Sequence, residues 1–234
     1  MSVAVHVGTS GYNYPEWRGS FYPSGLRAAA MLPYYAERFE TVEINATFYR
    51  MPTAATLTGW GAATPPGFVF TLKAPQRITH MRRLRDIDEP LRVLCDTARV
   101  LGDKLGPLFF QLPPNFKKDT GRLHDLLAQM PADLRCAFEF RHASWFADDV
   151  YAALRTRDAA LCVADTEDGH TPDEATSSWG YYRLRNVDYP DAELATWAAA
   201  LTRPGRREVF CYFKHEDTGT GPALAARLRE RLGS

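Results

Sequence analysis

The chain has 234 residues, of which 45% are hydrophobic and 24% charged, and its formal net charge is zero. This composition supports a sizeable core and excludes disordered and fibrous classes. Balanced charge speaks against a dedicated nucleic-acid binder, which carries a basic excess or stripe, but it leaves room for a local basic pocket.

The first residues, MSVAVHVG, run directly into a strand without the basic and long apolar regions of a signal peptide. No apolar run approaches the roughly 18 residues that span a bilayer, so no membrane partner and a cytoplasmic location are expected. Strand candidates follow in order: VAVHVG (3–8), TVEINAT (41–47), FVFTLKA (68–74), PLFFQLP (107–113), RCAFEFR (135–141), ALCVADT (160–166), WGYYRLR (179–185) and EVFCYFK (208–214). Helical patterns lie between them at 26–39, 90–105, 122–130, 148–157 and 191–201, and another closes the chain at 222–232. The segment 52–67 holds at most a short helix, and GHTPDEATSS reads as a loop.

Strands separated by helices predict a parallel sheet. Eight of them predict a single (β/α)8 TIM-type barrel domain over residues 1–234, irregular between strands two and three and between strands six and seven. No GxGxxG or GxxxxGK[ST] follows any strand, so the usual evidence for dinucleotide or P-loop binding is absent. Cys95, Cys136, Cys162 and Cys211 form no CxxC pair and read as buried, reduced thiols.

A barrel of this kind places its site at the carboxyl ends of the strands. Side chains alternate along a strand, so Glu43 and Asn45, Lys73, Gln111, Glu139 and Arg141, Asp165, Tyr181 and Arg183, and Tyr212 and Lys214 are assigned to the interior. Burying that much charge is costly unless it is paired or used. Two readings stand: a functional polar pocket, or an ionic plug in which Glu43, Glu139 and Asp165 pair with Lys73, Arg141 and Arg183.

The stretch GTSGYNYPEWRGSFYP forms the first loop above that mouth. Its Tyr12, Tyr14, Trp17, Phe21 and Tyr22 either wall a ligand site or pack the loop onto the barrel. Trp145 is a further ring beside the mouth, suited to stacking on a base or sugar. The glycine-rich DTGTGP (217–222) entering the last helix is a weak anion-binding signal. His80, His142 and His215 fall in loops at the same end, where a divalent metal with Glu43, Glu139 and Asp165 is conceivable, but four cationic side chains oppose it. HExxH and GxSxG are absent.

GTSGYNYPEWRGSFYP, LPYYAERF, FETVEINATFYRMP, PPGFVFTLKAPQRITH, KLGPLFFQLPPNF and AFEFRHASWF together resemble the YecE-like family, domain of unknown function 72. The resemblance implies a TIM-type barrel and no settled activity. Positions matching its motifs include Thr9, Ser10, Gly11, Tyr12, Trp17, Glu43, Asn45, Phe48, Tyr49, Lys73, Thr79 and His80. Gln111, Pro113, Glu139, Arg141, Trp145, Asp165 and Arg183 complete them. Arg185 and Lys214-His215 depart from the family pattern, which weakens any role for a histidine after strand seven.

The leading expectation is a metal-independent, cofactor-free barrel enzyme or binding protein for a small anionic ligand such as a phosphorylated sugar or a nucleotide-like compound. Lys73, Arg141, Arg183 and Lys214 would hold the anion. Glu43, Glu139 or Asp165 would supply acid–base chemistry of a hydrolase or lyase, and Asn45 and Gln111 would orient hydroxyls. One alternative is a metal-dependent phosphodiesterase of endonuclease-IV type acting on nucleic acid, with HMRRLRD (80–86) as its local support. The other is a non-catalytic interaction protein. Oligomeric state is left open.

Overall fold

The structure, a computed structural model, describes residues 3–167, 169–216 and 218–233. Eight parallel strands close into a barrel: β1 (Ala4–Ser10), β2 (Thr41–Ile44), β3 (Val69–Lys73), β4 (Leu105–Gln111), β5 (Cys136–Glu139), β6 (Ala160–Thr166), β8 (Trp179–Leu184) and β9 (Glu208–Phe213). Pairing runs β5-β4-β3-β2-β1-β9-β8-β6, and β5 pairs with β6 to complete the circle. A two-residue strand, β7 (Gly169–His170), folds back antiparallel on β6 within the segment read as a loop.

Around the barrel lie α1 (Ala28–Ala36), α2 (Ala46–Tyr49), α3 (Ala54–Ala62), α4 (Asp88–Ala98), α5 (Thr120–Gln129), α6 (Asp148–Arg155), α7 (Asp191–Leu201) and α8 (Thr220–Leu232). The helix expected over 90–105 ends early. It passes into a 3-10 stretch that Gly102 breaks with φ 54°, and β4 then begins at Leu105. The strand expected over 41–47 gives way to the short α2 after Ile44, and the segment 52–67, expected to hold at most a short helix, carries α3. Thr53 caps α3, its side-chain oxygen accepting from the Thr56 N–H.

Two apolar layers follow from strand alternation. One side packs on the helices through residues such as Val7, Val42, Leu72, Phe110 and Val163. The other fills the lumen with Phe109, Ala137, Ala160, Cys162, Trp179, Tyr181, Phe210 and Tyr212. Gly8 is required where β1 meets β2, because a Cβ there would lie 2.2 Å from the Thr41 carbonyl oxygen. All four cysteines are buried and free, as the sequence implied. Among the described residues, no helix is long and apolar enough to cross a membrane.

Candidate active site

Above the apolar lumen, Arg183 lies across the barrel with its whole side chain buried. Its Nε and Nη2 donate to the two carboxylate oxygens of Glu43, at 3.0 and 2.9 Å, a bidentate pair. Its Nη1 donates to Glu139 Oε2 at 2.7 Å, and its guanidinium lies 4.8 Å from the centre of the Phe109 ring. Glu43 is saturated: Tyr181 donates a hydroxyl to Oε2 at 2.5 Å, and Ser10 donates one to Oε1. Ser10 in turn accepts from Asn45 Nδ2 at 2.6 Å. On the other side, Gln111 donates to Glu139 Oε1 at 2.7 Å and accepts from Lys73 Nζ at 2.8 Å. The result is a polar chain from Lys73 through Gln111, Glu139, Arg183 and Glu43 to Ser10 and Asn45.

Electrostatics follow from these contacts. Burial pushes both carboxyls up, but Arg183 outweighs it and holds Glu43 and Glu139 below the usual carboxylate range. Burial, reinforced by Arg183, brings the Lys73 ammonium down to about 8 despite Glu43 and Glu139. Burial and the neighbouring charges of Lys73, Arg141 and Arg83 lower His80.

This chain divides the mouth into two chambers that share no lining residue. One, of about 430 Å³, lies over β9, β1, β2 and β3 and is walled by Tyr12, Tyr14, Asn45, Phe48, Lys73 and Lys214. The other, of about 610 Å³, lies over β4, β5, β6 and β8, and Glu139, Arg141, Phe146, His170 and Arg185 line it. A larger cavity of about 750 Å³ sits outside the barrel between the first loop, Arg38 and Phe39 after α1, and α8. Phe21, Phe39 and Leu224 are among its walls, and none of the inward-facing polar groups reaches it.

The expected convergence of Glu43, Asn45, Lys73, Gln111, Glu139 and Arg183 is therefore present, but several roles change. Asp165 does not face the interior. Ala160 and Cys162 occupy the lumen, so alternation turns Asp165 outward, where it accepts from the Tyr189 hydroxyl at 2.7 Å. Arg183 and Glu43 saturate each other and offer a ligand no free valence. Lys214 is paired with Glu216 at 2.7 Å. Thr9 faces α1, its N–H donating to the Tyr35 hydroxyl at 2.8 Å.

Trp17 and Trp145 are wholly buried and cover no ligand. Trp17 packs within its own loop against Tyr14, Phe21 and Tyr22. Trp145 stacks on Phe140 and donates to the Phe116 carbonyl at 2.7 Å. Of the five rings, only Tyr12 and Tyr14 line a chamber. Gly11, with φ 93°, lets that loop turn, since a Cβ would strike the Tyr14 ring. Tyr49 is 75% exposed, lining the outer part of the first chamber. His80 stands edge-on to Phe48 and lines neither chamber.

His142 caps a short turn by accepting from the Ser144 N–H, and His215 contacts the Asn186 carbonyl. No three His, Cys, Asp or Glu among the described residues gather as metal ligands. In the DTGTGP stretch, Asp217 lies outside the described residues, and Gly219 precedes α8 in the left-handed conformation. Ser10 was named only as a motif position and Arg185 only as a departure from the family pattern, and neither was given a role in the site. Ser10 was readable, because the same alternation that points Glu43 inward points Ser10 toward it.

The chain matches the family described as protein of unknown function DUF72 over residues 6–234. The chain belongs to the DUF72 family. It is 30% identical over 156 residues to the UPF0759 protein YunF of Bacillus subtilis, covering 63% of this chain and 54% of that protein. It is 27% identical over 144 residues to the UPF0759 protein YecE of Escherichia coli K12, covering 61% and 50%. The matched part thus spans about half the length of these curated relatives. A DUF72 family crystal structure from Thermotoga maritima superposes with a TM-score of 0.86 at 25% identity, covering 99% of this chain and 100% of that one. Another from Enterococcus faecalis gives 0.81 at 17% identity over 99% and 98%, which supports the fold alone.

Proposed function

We propose that this DUF72 barrel binds a small anionic ligand, phosphorylated or carboxylated, in the chamber over β4, β5, β6 and β8, with Glu139 as proton acceptor. The observation that carries this reading is an excess of cations at the mouth. Arg183 takes up both buried carboxylates. Arg141 forms no ion pair among the described residues, and Arg185 reaches Glu139 only at 3.7 Å. Burial and the charges of Arg183 and Arg141 lower Arg185, which marks a site where an anion would be welcome. Glu139 is the one buried carboxylate that lines this chamber, and its lowered pKa keeps it ionised near neutrality.

The test is thermal stabilisation by inorganic phosphate and a panel of sugar phosphates and small carboxylates. A shift for wild type that disappears in Arg141→Ala and in Arg185→Ala supports the reading. An unchanged shift in both variants, or none in wild type with any of these anions, sinks it. The phosphodiesterase alternative draws on Arg82, Arg83, Arg85 and Arg122, which surround a separate surface cavity. Single-stranded DNA binding that weakens steeply with salt and is lost when those arginines are replaced would favour it.

A further inference from the structure

The chamber on the opposite side of Arg183 has a different chemistry. Its inner end is the amine of Lys73, the last residue of β3. The side chain is 7% exposed, and its Nζ makes one hydrogen bond, to the neutral Gln111 amide, while resting 4.5 Å from the centre of the Phe48 ring. No ion pair holds it among the described residues. The strand end is fixed, because the Thr47 hydroxyl of α2 lies 2.6 Å from the Lys73 carbonyl oxygen.

The residue choice is informative. The chain has 28 lysines and arginines, and only Lys73, Lys104, Lys117, Lys118 and Lys214 are lysines. Lys104 is enclosed by the Gly61 and Thr64 carbonyls and the Thr64 hydroxyl. Lys118 pairs with Asp149, and Lys214 with Glu216. A barrel that otherwise prefers arginine therefore keeps, at its most buried mouth position after Arg183, the one cationic side chain that can lose its proton and act as a nucleophile. A second feature concerns the ligand: Asn45 Oδ1, in the wall of the same chamber, is buried and has no hydrogen-bond partner among the described residues. It is an acceptor suited to a hydroxyl.

We propose that Lys73 forms an imine with a small hydroxylated aldehyde or ketone bound in the chamber over β9, β1, β2 and β3. Neutral Nζ attacks the carbonyl carbon, forming a C–N bond as the C=O electron pair moves to oxygen. A proton passes from nitrogen to that oxygen. The nitrogen lone pair then completes the C=N bond as the hydroxyl departs, and the second nitrogen proton passes to that oxygen, so one carbonyl and one amine give one imine and one water. Tyr12, Tyr14 and Phe48 form apolar walls that shield the C=N bond from hydrolysis, and Asn45 accepts from the hydroxyl beside the carbonyl. The depressed basicity of Lys73 fits this chemistry, because part of the amine is neutral near pH 7.

This site uses other residues than the anion chamber, so the two readings fail separately. The probe is glycolaldehyde with sodium cyanoborohydride, which reduces the imine to a stable secondary amine, followed by peptide mass mapping of each lysine. In wild type near neutral pH, Lys73 is expected to be modified at least ~10-fold faster than exposed Lys117, with a half-rise near pH 8. Lys73→Arg should remove the fast event and leave the other lysines unchanged. Acetaldehyde, lacking the hydroxyl, should label Lys73 more slowly than glycolaldehyde does, relative to Lys117. Labelling of Lys73 no faster than Lys117 overturns the proposal, a result that wild type alone can deliver. Equal preference for the two aldehydes overturns the role given to Asn45. Phosphate stabilisation measured on the same samples reports on the anion chamber independently.

Discussion

The two ends of the barrel both hold ion pairs, but they solve different problems. At the amino ends of the strands, His6 Nε2 meets Glu208 Oε1 at 2.8 Å and His6 Nδ1 lies 3.2 Å from Glu40, with Arg135 on the other oxygen of Glu208. The His6 ring stacks on Phe210, and Arg135 covers Trp179 and Phe210. Charge there lies over the lumen as a half-exposed lid, and His6 and Arg135 each have a carboxylate partner. At the carboxyl ends Glu43, Glu139 and Arg183 are fully buried, Lys73 and Arg141 form no ion pair among the described residues, and two chambers remain open. Conserved-looking chemistry is not needed to tell the ends apart; the charge balance does it. The bottom is built to close the barrel, and the top to leave groups unspent.

The largest expected effect breaks the top. Arg183→Met leaves Glu43 and Glu139 buried without a partner and should cost about 3–5 kcal/mol in urea unfolding. Adding Glu43→Gln and Glu139→Gln should recover much of that loss. No recovery would mean that Arg183 stabilises by packing on Phe109 rather than by charge. The next effect sharpens the bottom. Burial pulls the His6 imidazolium down, but Glu208 and Glu40 outweigh it and raise the group from 6.5 to about 9. A pKa raised by folding contributes stability that is full below 6.5 and is lost as pH climbs through 9. Melting temperature should fall across that window, and His6→Phe should flatten this limb; a wild-type curve flat to pH 9 would break the assignment.

Glu208 runs the other way. His6 and Arg135 hold it at about 2 against burial, so its contribution is present above 4.5 and fades as pH falls from there toward 2. Glu208→Gln should shallow the acid limb without altering labelling of Lys73. The smallest effect belongs to the exposed Lys118–Asp149 pair: Asp149→Asn should leave the urea midpoint unchanged.

Much of this was legible in the chain. TVEINAT, RCAFEFR and WGYYRLR alternate clearly enough that Glu43, Glu139 and Arg183 could be aimed inward before any coordinates. ALCVADT could not be aimed the same way. Small apolar residues occupy both of its faces, so only the neighbours of Cys162 show that Asp165 points outward. Helix α3 was read only as at most a short helix because AATLTGWGA carries no apolar stripe, and Leu57 is its one buried residue. The ionic-plug reading put Glu43, Glu139 and Arg183 among its partners, but which cation takes which carboxylate was out of reach. Alternation says which charges enter the lumen, whereas their pairing depends on the stagger that brings β2, β5 and β8 to one height. The rings of the first loop, read either as a ligand wall or as packing, divide: Tyr12 and Tyr14 line a chamber, and Trp17 packs within its own loop.

The partition made by Arg183 has a kinetic consequence. Because the two chambers share no lining residue, filling one leaves the walls of the other intact. Two small molecules can then reside together, and each should appear noncompetitive toward the other. Competition begins only when a molecule is long enough to reach from one chamber into the other, so inhibition patterns in this barrel would report the length of an inhibitor before its chemical kinship to either occupant.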